Sequence, residues 1–199
     1  MNIVFDFGRV IFYWQPEELV ARTFSDPSVQ DRVSKAVFEH PDWAETDRGA
    51  LSFEEMSHRG ARRAGVPVDK VANMIDQVPA VLVPIPDSIE ILHQLKARGH
   101  SLYALSNMGE ASMIHLEESY EFLNLFDGKV ISARVKLVKP EPAIFRHLLD
   151  RFHLDPQQTI FIDDLSDNIE AAAHFGIHTI LFTSPAQCRK ALVKFGCLE

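Results

Sequence analysis

Basic runs are missing from this chain: 20 lysines and arginines stand against 28 aspartates and glutamates, for a formal charge of −8. A nucleic-acid-binding surface wants a basic patch, so no nucleic-acid partner is expected. Cysteine is scarce too. Cys188 and Cys197 are the only two and form no Cys-x-x-Cys pair, which fits free thiols in a reducing compartment better than a structural disulfide. No apolar run approaches the ~18–20 residues that a membrane span needs. The apolar residues 2–5 are cut off by Asp6, too early for a secretory signal. The expectation is a cytoplasmic protein without membrane partners. Nine histidines are present, yet none falls into a His-Glu-x-x-His or comparable metal spacing. Repeats and low-complexity tracts are also absent.

What is present is ordinary in bulk and informative in order. With 199 residues, 46% of them hydrophobic and 24% charged, the chain is long enough for one or two domains with a real core. Short apolar runs at Ser101–Leu105, Lys129–Ser132, Thr159–Ile162 and Ile177–Phe182 alternate with helix-length segments near Asp87–Arg98, Gly109–Ser119, Pro140–Arg151 and Asp167–Phe175. Such alternation implies βα units and a mostly parallel sheet, to which Asn2–Phe5 adds a further strand. Between Trp14 and Pro84 no strand pattern appears. Helix-like stretches at Pro16–Phe24, Ser28–His40, Ser52–Ala64 and Asp69–Gln77 fill it, with a capping-box signature at Ser52-Phe53-Glu54-Glu55. The reading is an α/β core from residues 1–14 and 85–199, with a helical insert at 15–84 above the carboxyl ends of the strands.

Four apolar runs end in reactive side chains. Asp6 ends the first, within Val4-Phe5-Asp6-Phe7-Gly8-Arg9-Val10; Ser106 and Asn107 end the second; Lys139 sits between Val138 and Pro140; Asp163 and Asp164 end a later run, with Asn168 beyond. Each alone has a bland reading as a turn, helix cap or surface charge. Together they supply what phosphoryl transfer needs. An aspartate can attack phosphorus and split hydrolysis into two easier steps. Three carboxylates in one crevice repel unless a cation joins them, and oxygen ligands favour magnesium. Lys139 would neutralise developing charge, and Ser106 and Asn107 would hold phosphate oxygens at a helix N-terminus.

In these motifs the chain resembles the haloacid dehalogenase-like (HAD) hydrolase superfamily, over its whole length. The resemblance implies a three-layer Rossmann-like core with a mostly parallel sheet and a small helical cap inserted after the first strand. It implies that Asp6 is the nucleophile, that Asp6, Asp164 and the Gly8 carbonyl ligate magnesium, and that Asp163 and Asn168 support the site. Ser106 and Lys139 then contact the phosphoryl group. The implied partner is a small phosphate ester, and the protein a monomer or homodimer.

The departure is Gly8, where family phosphatases carry a second aspartate as general acid and base. Losing such a group costs roughly 10²–10⁴ in rate, less for a leaving group that departs easily, such as an anomeric sugar oxygen. The nearest resemblance is to a bacterial branch reading Asp-Leu-Gly-Asn-Val, which includes α-D-glucose-1-phosphate phosphatases, and this points to a sugar phosphate. Arg9 replaces the asparagine there, either to supply a cation to the substrate or to face solvent. Arg48, ahead of Gly49 in an insert loop, is a candidate for substrate selection. A metal-free dehalogenase and a silent phosphate binder are the alternatives.

Overall fold

The five apolar runs form the five strands of one sheet in this computed structural model, which describes all 199 residues. They are β1 (Asn2–Phe5), β2 (Ser101–Ser106), β3 (Gly128–Ile131), β4 (Thr159–Asp163) and β5 (His178–Leu181). All neighbours pair in parallel, in the order β3-β2-β1-β4-β5. The chain walks outward from β1 through β2 and β3, then returns to the other side of β1 as β4. That reversal creates a crevice at the carboxyl ends of β1 and β4, where open α/β sheets bind ligands.

Alternation along the strands builds the layers. Ile3 and Phe5 of β1, Leu102 and Ala104 of β2, and Ile160 and Ile162 of β4 face one side, under α6 (Pro86–Ala97), α7 (Glu110–Ser119) and α11 (Pro185–Lys194). Val4, Leu105 and Phe161 face the other, under α9 (Pro142–Phe152) and α10 (Ser166–Ala173). Both faces are covered, which is why the strands read as continuous apolar runs. The free cysteines, Cys188 and Cys197, are buried in the first of these cores.

Between β1 and α6 lie α1 (Pro16–Thr23), α2 (Pro27–Ala36), α3 (Pro41–Asp47), α4 (Phe53–Ala64) and α5 (Val68–Ile75). Proline opens α1, α2 and α3, where its missing N–H leaves no bond unmade. Ser52 caps α4 by accepting the Glu55 N–H at 3.1 Å, and Gly65 closes it in the left-handed region at φ 69°. These helices share a separate core of 14 buried residues, among them Leu19, Val33, Met56 and Met74. Trp14 packs against both this core and the sheet's.

Four elements differ from the sequence reading. Residues 43–49, read as a loop, are mostly helix α3; Asp42 supplies an acidic first turn, and Gly49 at φ 71° stands just beyond the end. A one-turn helix, α8 (Ser132–Val135), follows β3, and α11 was not anticipated. Pro142, not Pro140, opens α9. No helix is long and apolar enough to cross a membrane.

A separate helical core should soften separately. Met74 is fully buried there, and Met74→Ala should cost about 2–5 kcal/mol. Hydrogen exchange should then quicken across α1–α5 while β1 and β4 stay protected. Equal loss of protection in both would show a single cooperative core.

Candidate active site

Parallel pairing delivers the reactive groups to one edge. Phe5 stands opposite Ala104 and Ile162, and the Asp6 N–H donates to the Ile162 carbonyl at 2.9 Å. Asp6 therefore leaves β1 level with Asp163 at the end of β4. Carboxylate oxygens of Asp6, Asp163 and Asp164 lie within 4.8 Å of one another.

The Lys139 ammonium sits among them. It is 2.8 Å from Asp6 Oδ1 and 2.7 Å from Asp163 Oδ2, with its side chain 2% exposed. Burial alone would push this lysine's pKa down, but Asp6 and Asp163 hold it above the ordinary value. Asn107 fixes where the lysine stands: its side-chain amide donates to the Lys139 carbonyl at 2.9 Å and accepts the Lys139 N–H at 2.8 Å. That amide positions Lys139 from the cavity wall and keeps a second N–H uncommitted.

Asp163 is fully buried and fully used. It accepts from Lys139, from Asn168 Nδ2 at 2.9 and 3.0 Å, and from the Leu165 N–H at 2.9 Å. Asp164 is freer, with only Arg9 nearby at 3.8 Å. Arg9 also donates to the Trp14 carbonyl at 3.2 Å and remains half exposed. Burial, then the neighbouring Asp163, raises the Asp164 pKa. Burial raises that of Asp6 to about 7, against the pull of Lys139. No hydrogen bond uses the Gly8 carbonyl. Two carboxylates with open oxygens plus a free carbonyl form an all-oxygen donor set, which fits a hard divalent cation such as magnesium. Asp6, Asp164 and Gly8 would hold it.

Above this edge opens a cavity of about 290 Å³ lined by Asp6, Gly8, Arg9, Lys139, Asn107, Asp164 and Asn168 on the sheet side. The helical layer closes it with Trp14, Trp43, Phe53 and Val78, while Leu82 and Leu165 complete an apolar wall. Trp14 and Trp43 stack at 5.6 Å with 24° between their planes. Ser106 ends β2 and is buried, but it is not among the lining side chains.

Sequence reasoning pointed to Arg48 in the insert and not to its neighbour Asp47. Arg48 does not line the cavity. Its guanidinium pairs with Glu141 at 3.0 and 2.5 Å and donates to the Lys136 carbonyl at 3.3 Å, clasping α3 to the core. A glycine after it ends the helix, so the side chain leaves along the helix end toward α9. Asp47, one residue earlier, does line the cavity. It was missed because an acidic residue on a polar run gives no pattern of its own; the only hint was its place next to Arg48 in the insert.

The chain has relatives of known name and solved structures of the same fold. A full-length relative, a protein named sesquiterpene phosphatase astK from Aspergillus oryzae, is 27% identical over 98% of this chain and 96% of its own. (S)-2-haloacid dehalogenase 4A from Burkholderia cepacia is 25% identical over 69% of this chain and 57% of its own. A HAD family enzyme from Bacteroides thetaiotaomicron, solved with magnesium and inorganic phosphate, superposes with a TM-score of 0.66 at 22% identity, covering 92% of this chain and 93% of that one. The family profile described as haloacid dehalogenase-like hydrolase matches residues 54–182, and the chain belongs to that hydrolase family.

Proposed function

We propose that this hydrolase is a magnesium-dependent phosphatase, with Asp6 as the nucleophile and the helices α1–α5 as a cap over the substrate. The observation that carries the reading is the Asp6 carboxylate at the mouth of the β1–β4 crevice, 2.8 Å from the buried Lys139 ammonium and within 4.8 Å of Asp163 and Asp164. A carboxylate so placed can displace an alkoxide from phosphorus, giving an aspartyl phosphate that water then hydrolyses. Lys139 spreads the charge that develops on the phosphoryl oxygens. Asn107 holds the lysine, and Asn168 holds Asp163. The cation, when bound by Asp6, Asp164 and the Gly8 carbonyl, would neutralise phosphate charge and orient the ester.

The dehalogenase reading has a relative in its favour, but a metal-free site would leave Asp164 without a counter-charge beyond an arginine at 3.8 Å. The sugar-phosphate expectation gains little from the walls. Sugar hydroxyls need directed polar partners, whereas Trp14, Trp43, Phe53, Val78, Leu82 and Leu165 offer apolar surface. We therefore propose a phosphomonoester of an apolar alcohol, in keeping with the terpenoid named for the Aspergillus relative.

Three outcomes are expected. Asp6→Asn should lower phosphate release from p-nitrophenyl phosphate by at least ~10³, within the range for removing a nucleophile that acts with its partners, and chelation should silence the wild type. Chloride release from 2-chloropropionate without metal would support the dehalogenase instead. Magnesium should bind more tightly as pH rises. Asp6, with its pKa raised to about 7, is mostly protonated at pH 6, where the cation must displace the proton, and mostly ionised at pH 8, so titration calorimetry should show a lower dissociation constant at the higher pH. The reverse trend would contradict ligation by Asp6. Finally, kcat/KM for a farnesyl-type phosphate should exceed that for glucose 1-phosphate by at least about tenfold, since each buried CH₂ contributes ~0.8 kcal/mol. A preference for the sugar would remove the apolar assignment.

A further inference from the structure

We propose that Asp47, reaching into the cavity from the end of α3, is the general acid and base that Gly8 cannot be. The proposal rests on the phosphatase reading above and adds the residue that reading lacks. Gly8 has no side chain, and a Cβ built there would meet only Asp6 Oδ2, at 4.0 Å. The sheet side of the cavity thus offers Lys139 and Arg9 as cations and Asp6 and Asp164 as carboxylates already assigned, with Asp163 buried behind them. Asp47 is the remaining carboxylate in the lining, and it comes from the opposite wall.

Its placement is built. The Ser132 hydroxyl donates to the Asp47 carbonyl at 2.6 Å while accepting the Met108 N–H at 2.8 Å. The Lys136 ammonium donates to the Gly49 carbonyl at 3.1 Å, and Arg48 grips Glu141 between these points. Three successive residues of the helical layer are therefore tied to the core, and the middle tie is the arginine once expected to select substrate. The clasp fixes the one acidic side chain that the layer contributes to the cavity.

The environment suits proton transfer. Burial first, and the Asp6 charge second, raise the Asp47 pKa to about 7, while the Gly109 amide, Lys139 and the Trp43 ring N–H pull against them. A general acid works best when its pKa lies near the operating pH. In the first step Asp6 bonds to phosphorus, the bond from phosphorus to the ester oxygen breaks, and the Asp47 proton passes to the departing alkoxide, giving the alcohol. In the second, water attacks phosphorus and gives a proton to the Asp47 carboxylate. The bond to Asp6 breaks, inorganic phosphate leaves, and both side chains return to their starting states.

A leaving-group comparison tests this. Hexyl phosphate expels a poor leaving group that needs a proton; p-nitrophenyl phosphate expels a stabilised phenolate that hardly does. Asp47→Asn should lower kcat/KM, which reads only the steps up to departure of the alcohol, by ~10²–10⁴ on hexyl phosphate and by less than about tenfold on p-nitrophenyl phosphate. Asp47→Ser should reproduce the split, which guards against a packing defect peculiar to asparagine. Gly8→Asp placed in the Asp47→Asn protein should restore hexyl phosphate hydrolysis at least ~tenfold by returning an acid from the other side. Equal losses on both esters, or none on either, would overturn the Asp47 role while leaving Asp6-dependent phosphate release in place. If the wild type and Asp6→Asn behaved alike on both esters, the phosphatase reading itself would fall, and this role with it.

Discussion

A buried ammonium shared between two carboxylates is the interaction on which this site depends. Lys139 lies 2.8 Å from Asp6 and 2.7 Å from Asp163, in surroundings that leave almost nothing of it exposed. Removing one partner from a buried pair strands the other charge and typically costs about 3–5 kcal/mol. The arrangement therefore persists only because each member is held elsewhere: Asp6 by the β1–β4 ladder, Asp163 by Asn168 and Leu165, and the Lys139 backbone by Asn107. One ammonium does not balance the crevice. Asp6, Asp163 and Asp164 outnumber Lys139 and the half-exposed Arg9, and a cation among the carboxylates would relieve that excess. Without that cation the excess shows up as proton affinity, with burial driving Asp6 and Asp47 to pKa values near 7.

The helical layer and the sheet divide the work. The sheet fixes charge at a strand edge, where parallel register allows little slack. The layer brings apolar surface and one carboxylate. Trp14, Trp43 and Phe53 line the space in front of Asp6, and such apolar walls lower the local polarity and strengthen the electrostatic contacts beside them. The ties at Asp47, Arg48 and Gly49 join the two halves close to the chemistry, so the cavity is complete only with the layer docked.

Much of this was legible in the sequence, and the reasons differ by element. Buried parallel strands are short continuous apolar runs, so β1, β2 and β4 stood out, and the residues ending them fell at one edge by topology. Capping chemistry marked α4 through Ser52 and Glu55. Helix α3 was lost because a seven-residue helix with a single buried residue, Thr46, leaves no periodic apolar stripe. Helix α11 was lost to a similarly weak pattern. Roles within the site were less legible still. Asn107 carries the same side chain whether or not it holds a neighbouring backbone, and only the distances to Lys139 show that it does. Arg48 and Asp47 are adjacent and both charged; the direction each takes from the end of α3 is a tertiary fact.

The central claim is that Asp6 becomes covalently attached to phosphorus during turnover. Quenching the magnesium-loaded enzyme with substrate present, reducing acyl phosphate with borohydride, and mapping the peptides by mass spectrometry tests it most directly. The account predicts homoserine at position 6 and nowhere else, dependent on magnesium and on the ester. Efficient phosphate release with Asp6 unmodified, or reduction appearing at Asp163 or Asp164, would contradict it.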